Sequence, residues 1–141
     1  MAEATPDAER IVNDYVDLWN GGPETDIADV VSETVAIHDP AAPGGELHGR
    51  DEFEAFLDEV STGFPDFHVA VDDMLAGDDV VMAEWTVTGT HEGEFDGIPP
   101  TGRAMEMTGM SKMLFADGRV QEDRLYYDLQ AMFDQLGLAD E

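Results

Sequence analysis

Glu122, Arg124, Tyr126 and Asp128 alternate along one stretch near the end of the chain. Alternate residues of a β-strand share a face, so this spacing puts them in one row, with Val120 at its start. Two settings would give the row two different chemistries. On an open surface it is a solvated ladder holding an ordinary Glu122–Arg124 ion pair. Against a cavity, Glu122 and Arg124 neutralise each other and leave Asp128, at the strand end, free to move a proton. Parity alone leaves both open. His38 and Asp39 form a second polar pair at a strand-to-turn junction, where such pairs often satisfy only the local backbone. His48, His68 and His91 complete the histidines. None stands four residues from another and there is no cysteine, so no metal site is expected. The chain also lacks a G-x-S-x-G elbow, a phosphate loop and a dinucleotide fingerprint, which removes the commonest nucleophilic hydrolase and nucleotide-binding readings. Acid/base chemistry remains. One buried carboxyl can move a proton beside a carbonyl without a cofactor, provided desolvation lifts its pKa toward working pH.

Elements able to position such groups are legible in the hydrophobic periodicity. Ile11, Val12, Tyr15, Leu18 and Trp19 form one helical stripe over residues 7–20. Thr5-Pro6-Asp7 can cap that helix, and Gly21-Gly22-Pro23 can stop it. A short helix is expected over residues 25–31 and a strand over residues 34–38, leading into the Asp39-Pro40 turn. Phe53, Phe56, Leu57 and Val60 mark a second major helix over residues 50–62. After Pro65 the period changes to two, with Phe67, Val69 and Val71 alternating. Long strands are then expected over residues 80–91, 103–115 and 119–128, with Asp117-Gly118 as a tight hairpin turn and a short helix over 129–136. Helices first and long antiparallel strands later indicate an α+β domain over residues 1–141, helices packed on one face of a twisted sheet. Trp19, Phe53, Phe56 and Trp85 suit a core, and in a hollow domain they also suit a pocket wall.

The 141 residues carry 33 Asp and Glu against 6 Lys and Arg, a formal net charge of -27, and Lys112 is the only lysine. Such a chain is repelled by phosphate, so neither nucleic acid nor an anionic membrane surface is an expected partner. The acids are scattered from Glu3 to Glu141, which makes the whole surface acidic. Self-repulsion on that scale is screened at about 1 M salt, where the Debye length is about 3 Å, so a saline cytoplasm is expected. The first residues lack the basic and apolar regions of a secretory signal, and no stretch approaches the ~20 apolar residues of a membrane span. Met105, Met107, Met113 and Phe115 share a parity on one strand. A broad apolar sheet face needs a cover, so a homodimer is expected.

Several segments resemble the SnoaL-like polyketide (ester) cyclases. They are His91 to Arg103 (HEGEFDGIPPTGR), Asp117 to Glu122 (DGRVQE), Tyr127-Asp128, Gln135-Leu136-Gly137, Ile37-His38-Asp39-Pro40 and Gly49-Arg50. The resemblance implies the fold named after nuclear transport factor 2, a cone-shaped curved antiparallel sheet wrapped on N-terminal helices around a deep pocket, often dimerising through its outer face. It implies cofactor-free aldol ring closure by an aspartate near the end of the last long strand. Asp128 best matches that acid/base. His38, His91, Arg124 and Tyr126 are placed beside it by strand position, with Trp19, Phe53, Phe56 and Trp85 as walls. Because the same fold hosts isomerases, dehydratases, epoxide hydrolases and binding domains, two readings stand. One is a cyclase, isomerase or dehydratase acting on a small apolar carbonyl compound, and the other is a non-catalytic binding module for a small apolar metabolite. An Asp128 facing an enclosed cavity favours the first, and a solvated Asp128 the second.

Overall fold

A computed structural model describes residues 6–21, 26–95 and 97–138. Helix α1 (Pro6–Trp19) buries Ile11, Val12 and Tyr15 and lays Val16, Leu18 and Trp19 against the same core, the stripe its periodicity predicts. Its expected cap at Thr5 and stop at Gly22-Pro23 lie outside the described residues. A single turn, α2 (Ile27–Val30), is capped by the Asp26 carboxylate, which accepts from the Ala28 N–H at 3.0 Å. Strand β1 (Val31–His38) and the short β2 (Glu46–His48) pair antiparallel across the Asp39-Pro40 turn. Helix α3 (Gly49–Gly63) then buries Phe53, Phe56 and Val60, one face at helical spacing.

The second half is the expected run of long strands: β3 (His68–Ala76), β4 (Val80–Thr90), β5 (Ala104–Ala116) and β6 (Arg119–Tyr126), followed by α4 (Leu129–Gln135). Asp117 and Gly118 turn β5 into β6 with φ of 56° and 76°, the left-handed pair that a two-residue hairpin loop requires. The sheet runs in the order β2-β1-β6-β5-β4-β3, so the fold is α+β as expected. One junction departs from an all-antiparallel sheet, because β1 lies parallel to β6. No local turn encodes that pairing; it joins residues 86 to 89 positions apart and is driven by the burial of Val31, Val35 and Ile37.

Three irregularities interrupt the ladders of the sheet. One falls between Val31 and Ala36 of β1, one between Val71 and Asp73 of β3, and one in β6, where Leu114 faces Glu122 while Phe115 faces Val120. Gln121 is thus an extra residue, a bulge, and it shifts the strand by one position between Val120 and Glu122. Val120 is fully buried, yet beyond the bulge it is Asp123 that turns inward, at 1% exposure. Opposite, Gly109 sits in register with Trp85, and a Cβ there would come within 2.4 Å of the indole ring. Only glycine leaves room for Trp85 to lie against β5. The methionines expected on an outer face face inward instead: Met105, Met107 and Met113 line the interior, and Phe115 packs against the core. The outer face instead exposes Leu75, Met82, Met110 and Tyr126.

Candidate active site

Helices α1 and α3 do not fill the hollow of the sheet. A narrow apolar cavity remains between them, opening to solvent through a wider mouth. Its walls are aromatic on the helix side (Trp19, Phe56, Phe64) and methionine-rich along β5, and α4 adds Met132. Flexible thioethers opposite rigid rings give a wall that adapts to a flat apolar ligand. The polar groups are few: Tyr15, Asp39, Trp85, Ser111, Asp123 and Tyr127, with no Lys, Arg or His among the described lining residues.

Two of these are buried carboxyls, each held by a tyrosine. Asp123, on β6, accepts the Tyr15 hydroxyl on Oδ2 at 2.5 Å, while its Oδ1 has no hydrogen-bond partner. Burial drives its pKa up to about 7, with the hydroxyls of Tyr15 and Ser111 pulling against the rise and the nearby Asp39 adding to it. Ser111 is itself fixed by the Trp85 indole N–H, which donates to it at 2.9 Å. Asp39, 3% exposed at the end of β1, accepts the Tyr127 hydroxyl at 2.5 Å and the Ala41 N–H at 2.9 Å, both on Oδ1. Burial raises its pKa too, against those two donors. Both phenols are pushed above the ordinary tyrosine range, chiefly by burial and then by the adjacent carboxylate. A carboxyl that is half ionised near neutral pH, with one oxygen free of protein donors, is a competent general base for a carbon-bound proton.

The family model for SnoaL-like polyketide cyclases matches residues 9–136. The chain belongs to the SnoaL-like polyketide cyclase family. Aklanonic acid methyl ester cyclase DauD of Streptomyces sp. (strain C5) is 25% identical over 133 residues, covering 90% of this chain and 80% of DauD. Among solved structures, IdmH of Streptomyces antibioticus is 28% identical with a TM-score of 0.76, covering 92% of this chain and 97% of its own. TsrD of Streptomyces laurentii, 20% identical, superposes with a TM-score of 0.82 over 96% of this chain and 99% of its own, which shows the shared fold. A Catenulispora acidiphila protein of ketosteroid isomerase-like fold also matches, at 18% identity and a TM-score of 0.77, over 95% of each chain.

Within this SnoaL-like fold, the residues expected around the pocket separate into two groups. Trp19, Phe56 and Trp85 line the cavity; Phe53 lies behind it, stacked on Tyr15 with ring centres 5.9 Å apart. His91 is buried but outside the cavity wall, stacked on Phe64 at 5.3 Å with Nδ1 beside Thr101. His38, Arg124, Tyr126 and Asp128 are not brought to the cavity. Glu122 takes His38 Nε2 at 2.8 Å and Arg124 at 2.9 Å, and this ladder runs along the outer side of β6 with Tyr126 exposed. Asp128 is exposed and caps α4, its carboxylate accepting from the Ala131 N–H at 3.1 Å. The bulge at Gln121 explains the exchange of faces, since the inward row beyond it is Asp123, Leu125 and Tyr127. Parity reasoning missed Asp123 and the Asp39–Tyr127 pair. Leu125 and Tyr127 were the available signal, because an acid alternating with two apolar residues points inward.

Capping makes a separable prediction for Asp128. Asn caps as well as Asp, so D128N is expected to keep both stability and turnover, whereas D128A is expected to lose about 1 kcal/mol of stability through the orphaned N–H. Thermal melts of the two variants check this, and a D128N protein with collapsed turnover would return the acid/base role to Asp128.

Proposed function

We propose that the protein is a cofactor-free cyclase that closes a ring in an uncharged, largely apolar carbonyl compound, with Asp123 as its general base. One observation carries this reading: a wholly buried carboxyl, with one oxygen unengaged, in the wall of an apolar cavity. Asp123 would take a proton from a carbon beside a carbonyl. The resulting enolate carbon would attack a second carbonyl of the same molecule, forming the carbon–carbon bond, and the new alkoxide would take up a proton. Nothing is gained or lost overall, and no redox partner is needed. The relative DauD is named for a methyl ester. A cavity with two buried carboxyls and no lining cation favours such an ester over a free carboxylate, whose desolvated charge would be uncompensated. Incubation with aklanonic acid methyl ester at molar KCl, followed by chromatography, tests the reading: a product of unchanged mass and one more ring is expected, and the free acid is expected to be turned over at least tenfold more slowly. A protein that binds the ester without changing it would favour a non-catalytic binding module.

On the same reading the molecule works in a salt-rich cytoplasm as a homodimer. No helix among the described residues is long and apolar enough to cross a membrane. Leu75 stands in register with Met82 and Met110 with Tyr126, so the exposed apolar side chains form neighbouring pairs across the outer sheet face. Covering them would remove them from water. Light scattering at molar KCl is expected to give twice the mass of one chain. A Met110→Glu, Tyr126→Glu double variant is expected to give the mass of one.

A further inference from the structure

Asp39 is a buried acid that the reaction above leaves unused. Burial opposes its ionised form, which the Tyr127 hydroxyl and the Ala41 N–H stabilise by converging on Oδ1. Of the two cavity carboxyls, Asp123, raised first by burial and also by the charge of Asp39, is the one that holds the proton. The charge therefore rests on Asp39, and nothing in the wall balances it. Both of its donors are neutral, and no Lys, Arg or His stands among the described lining residues. His38, one residue earlier, turns outward to Glu122 and Glu46, and Arg124 pairs with Glu122 on the same outer side. An anion left uncompensated in an apolar space is costly, and a ligand that brings a positive charge removes that cost. A second unengaged acceptor, Asp123 Oδ1, lies in the same wall.

The surroundings of Asp39 suit one kind of cation. Tyr127, fixed by its hydroxyl on Asp39, meets Trp85 with ring centres 5.9 Å apart and planes at 65°. Two rings at that angle form a corner beside the carboxylate, and the negative face of an aromatic ring attracts a cation, tryptophan most of all. The rest of the wall is apolar, with Met105, Met107 and Met113 along β5. A metal ion finds no ligand set, because no three His, Asp or Glu side chains come together for one among the described residues. A methylated ammonium group needs none: it carries its charge on an apolar surface and has no N–H to satisfy. We propose that this corner is a binding site for small organic cations of the trimethylammonium type, seated on Trp85 and Tyr127 with the Asp39 carboxylate as counter-ion. The site goes beyond the ring-closure reading, since it uses a charge on which that reaction does not draw.

Both tryptophans of the chain line the cavity, so quenching of their fluorescence reports entry. The probes are choline and 3,3-dimethylbutan-1-ol, which has the same shape with carbon in place of the charged nitrogen. At molar KCl, where charges on the outer surface are screened, choline is expected to quench saturably and to bind at least about tenfold more tightly than the alcohol. D39N, whose amide oxygen still accepts the Tyr127 hydroxyl, is expected to erase that advantage. An alcohol that binds as tightly as choline, quenching that never saturates, or an advantage that survives in D39N overturns the proposal. Should D39N not fold, the wild type decides alone: nuclear Overhauser contacts are expected from the choline N-methyl protons to the rings of Trp85 and Tyr127, and their absence overturns the site. None of these readouts needs turnover, so a protein that fails to close a ring overturns only the reaction proposed above.

Discussion

Replacing Asp123 by asparagine is expected to leave the fold intact and to lower turnover by about 10²–10⁴-fold, the range that positioned acid/base groups supply. The substitution is nearly isosteric, keeps an oxygen for the Tyr15 hydroxyl 2.5 Å away, and removes only the ability to hold a proton. Its effect on binding should be small, so kcat falls and KM does not rise in proportion. The pH dependence follows from the same carboxyl. A base must be ionised, and burial places the Asp123 pKa at about 7, so wild-type kcat/KM is expected to rise with pH through that value and level off above it.

Stability runs the opposite way. The folded pKa of Asp123 is raised above the ~3.9 of an exposed aspartate, so between those values the folded state holds more protons than the unfolded chain. The contribution of Asp123 to stability is therefore fully present below about pH 4 and is lost as pH rises toward 7. At pH 8 the wild type carries a buried charge that D123N lacks, and the inactive variant is expected to melt at the higher temperature. Melting the two proteins side by side at pH 5 and pH 8 checks this; a D123N protein less stable than wild type at pH 8 would show that the carboxylate is structural.

Removal of salt is the second large perturbation. A formal charge of -27 on 141 residues has little internal relief, because two of the 6 Lys and Arg side chains are committed to backbone carbonyls. Arg50 donates to the carbonyls of Val31 and Ala28, and Arg119 donates to Ala28 as well, fastening α2 to the start of β1 rather than neutralising acids. Arg124 pairs with Glu122, which also meets His38. Lowering KCl from about 1 M to about 10 mM lengthens the Debye length from about 3 Å to about 30 Å, and charges over the whole surface then repel one another. Far-ultraviolet circular dichroism during such dialysis is expected to show loss of the folded signal at room temperature, with recovery when KCl is restored. A melting temperature that stays flat across that range would remove the case for a high-salt protein.

Local periodicity carried the architecture. The stripes of α1 and α3, the alternation of β3 to β5 and the Asp117-Gly118 turn each depend on neighbours within one turn or one hairpin, and each is found where expected. The parallel β1–β6 pair is set by burial between distant segments and leaves no local trace. The candidate site turned on one residue. Counting by twos puts Glu122, Arg124, Tyr126 and Asp128 in one row with Val120, but Gln121 is bulged, so the row leaves the face of the buried Val120 there. Asp39 could not be told from an ordinary turn aspartate because its partner, Tyr127, lies 88 positions away.

That bulge makes strand register a chemical variable. Side chains alternate with a period of two, so pairing the same sequence without the bulge, with Gln121 opposite Leu114, would exchange the whole row that follows it. In the bulged register β6 and the residue after it send Asp123, Leu125 and Tyr127 to the chamber; in the regular one the chamber would receive Glu122 and Arg124, a pair that is already neutralised. A change that let β6 pair without the bulge would thus trade the acid in the chamber wall for an ion-paired row while leaving every one of those side chains in the sequence.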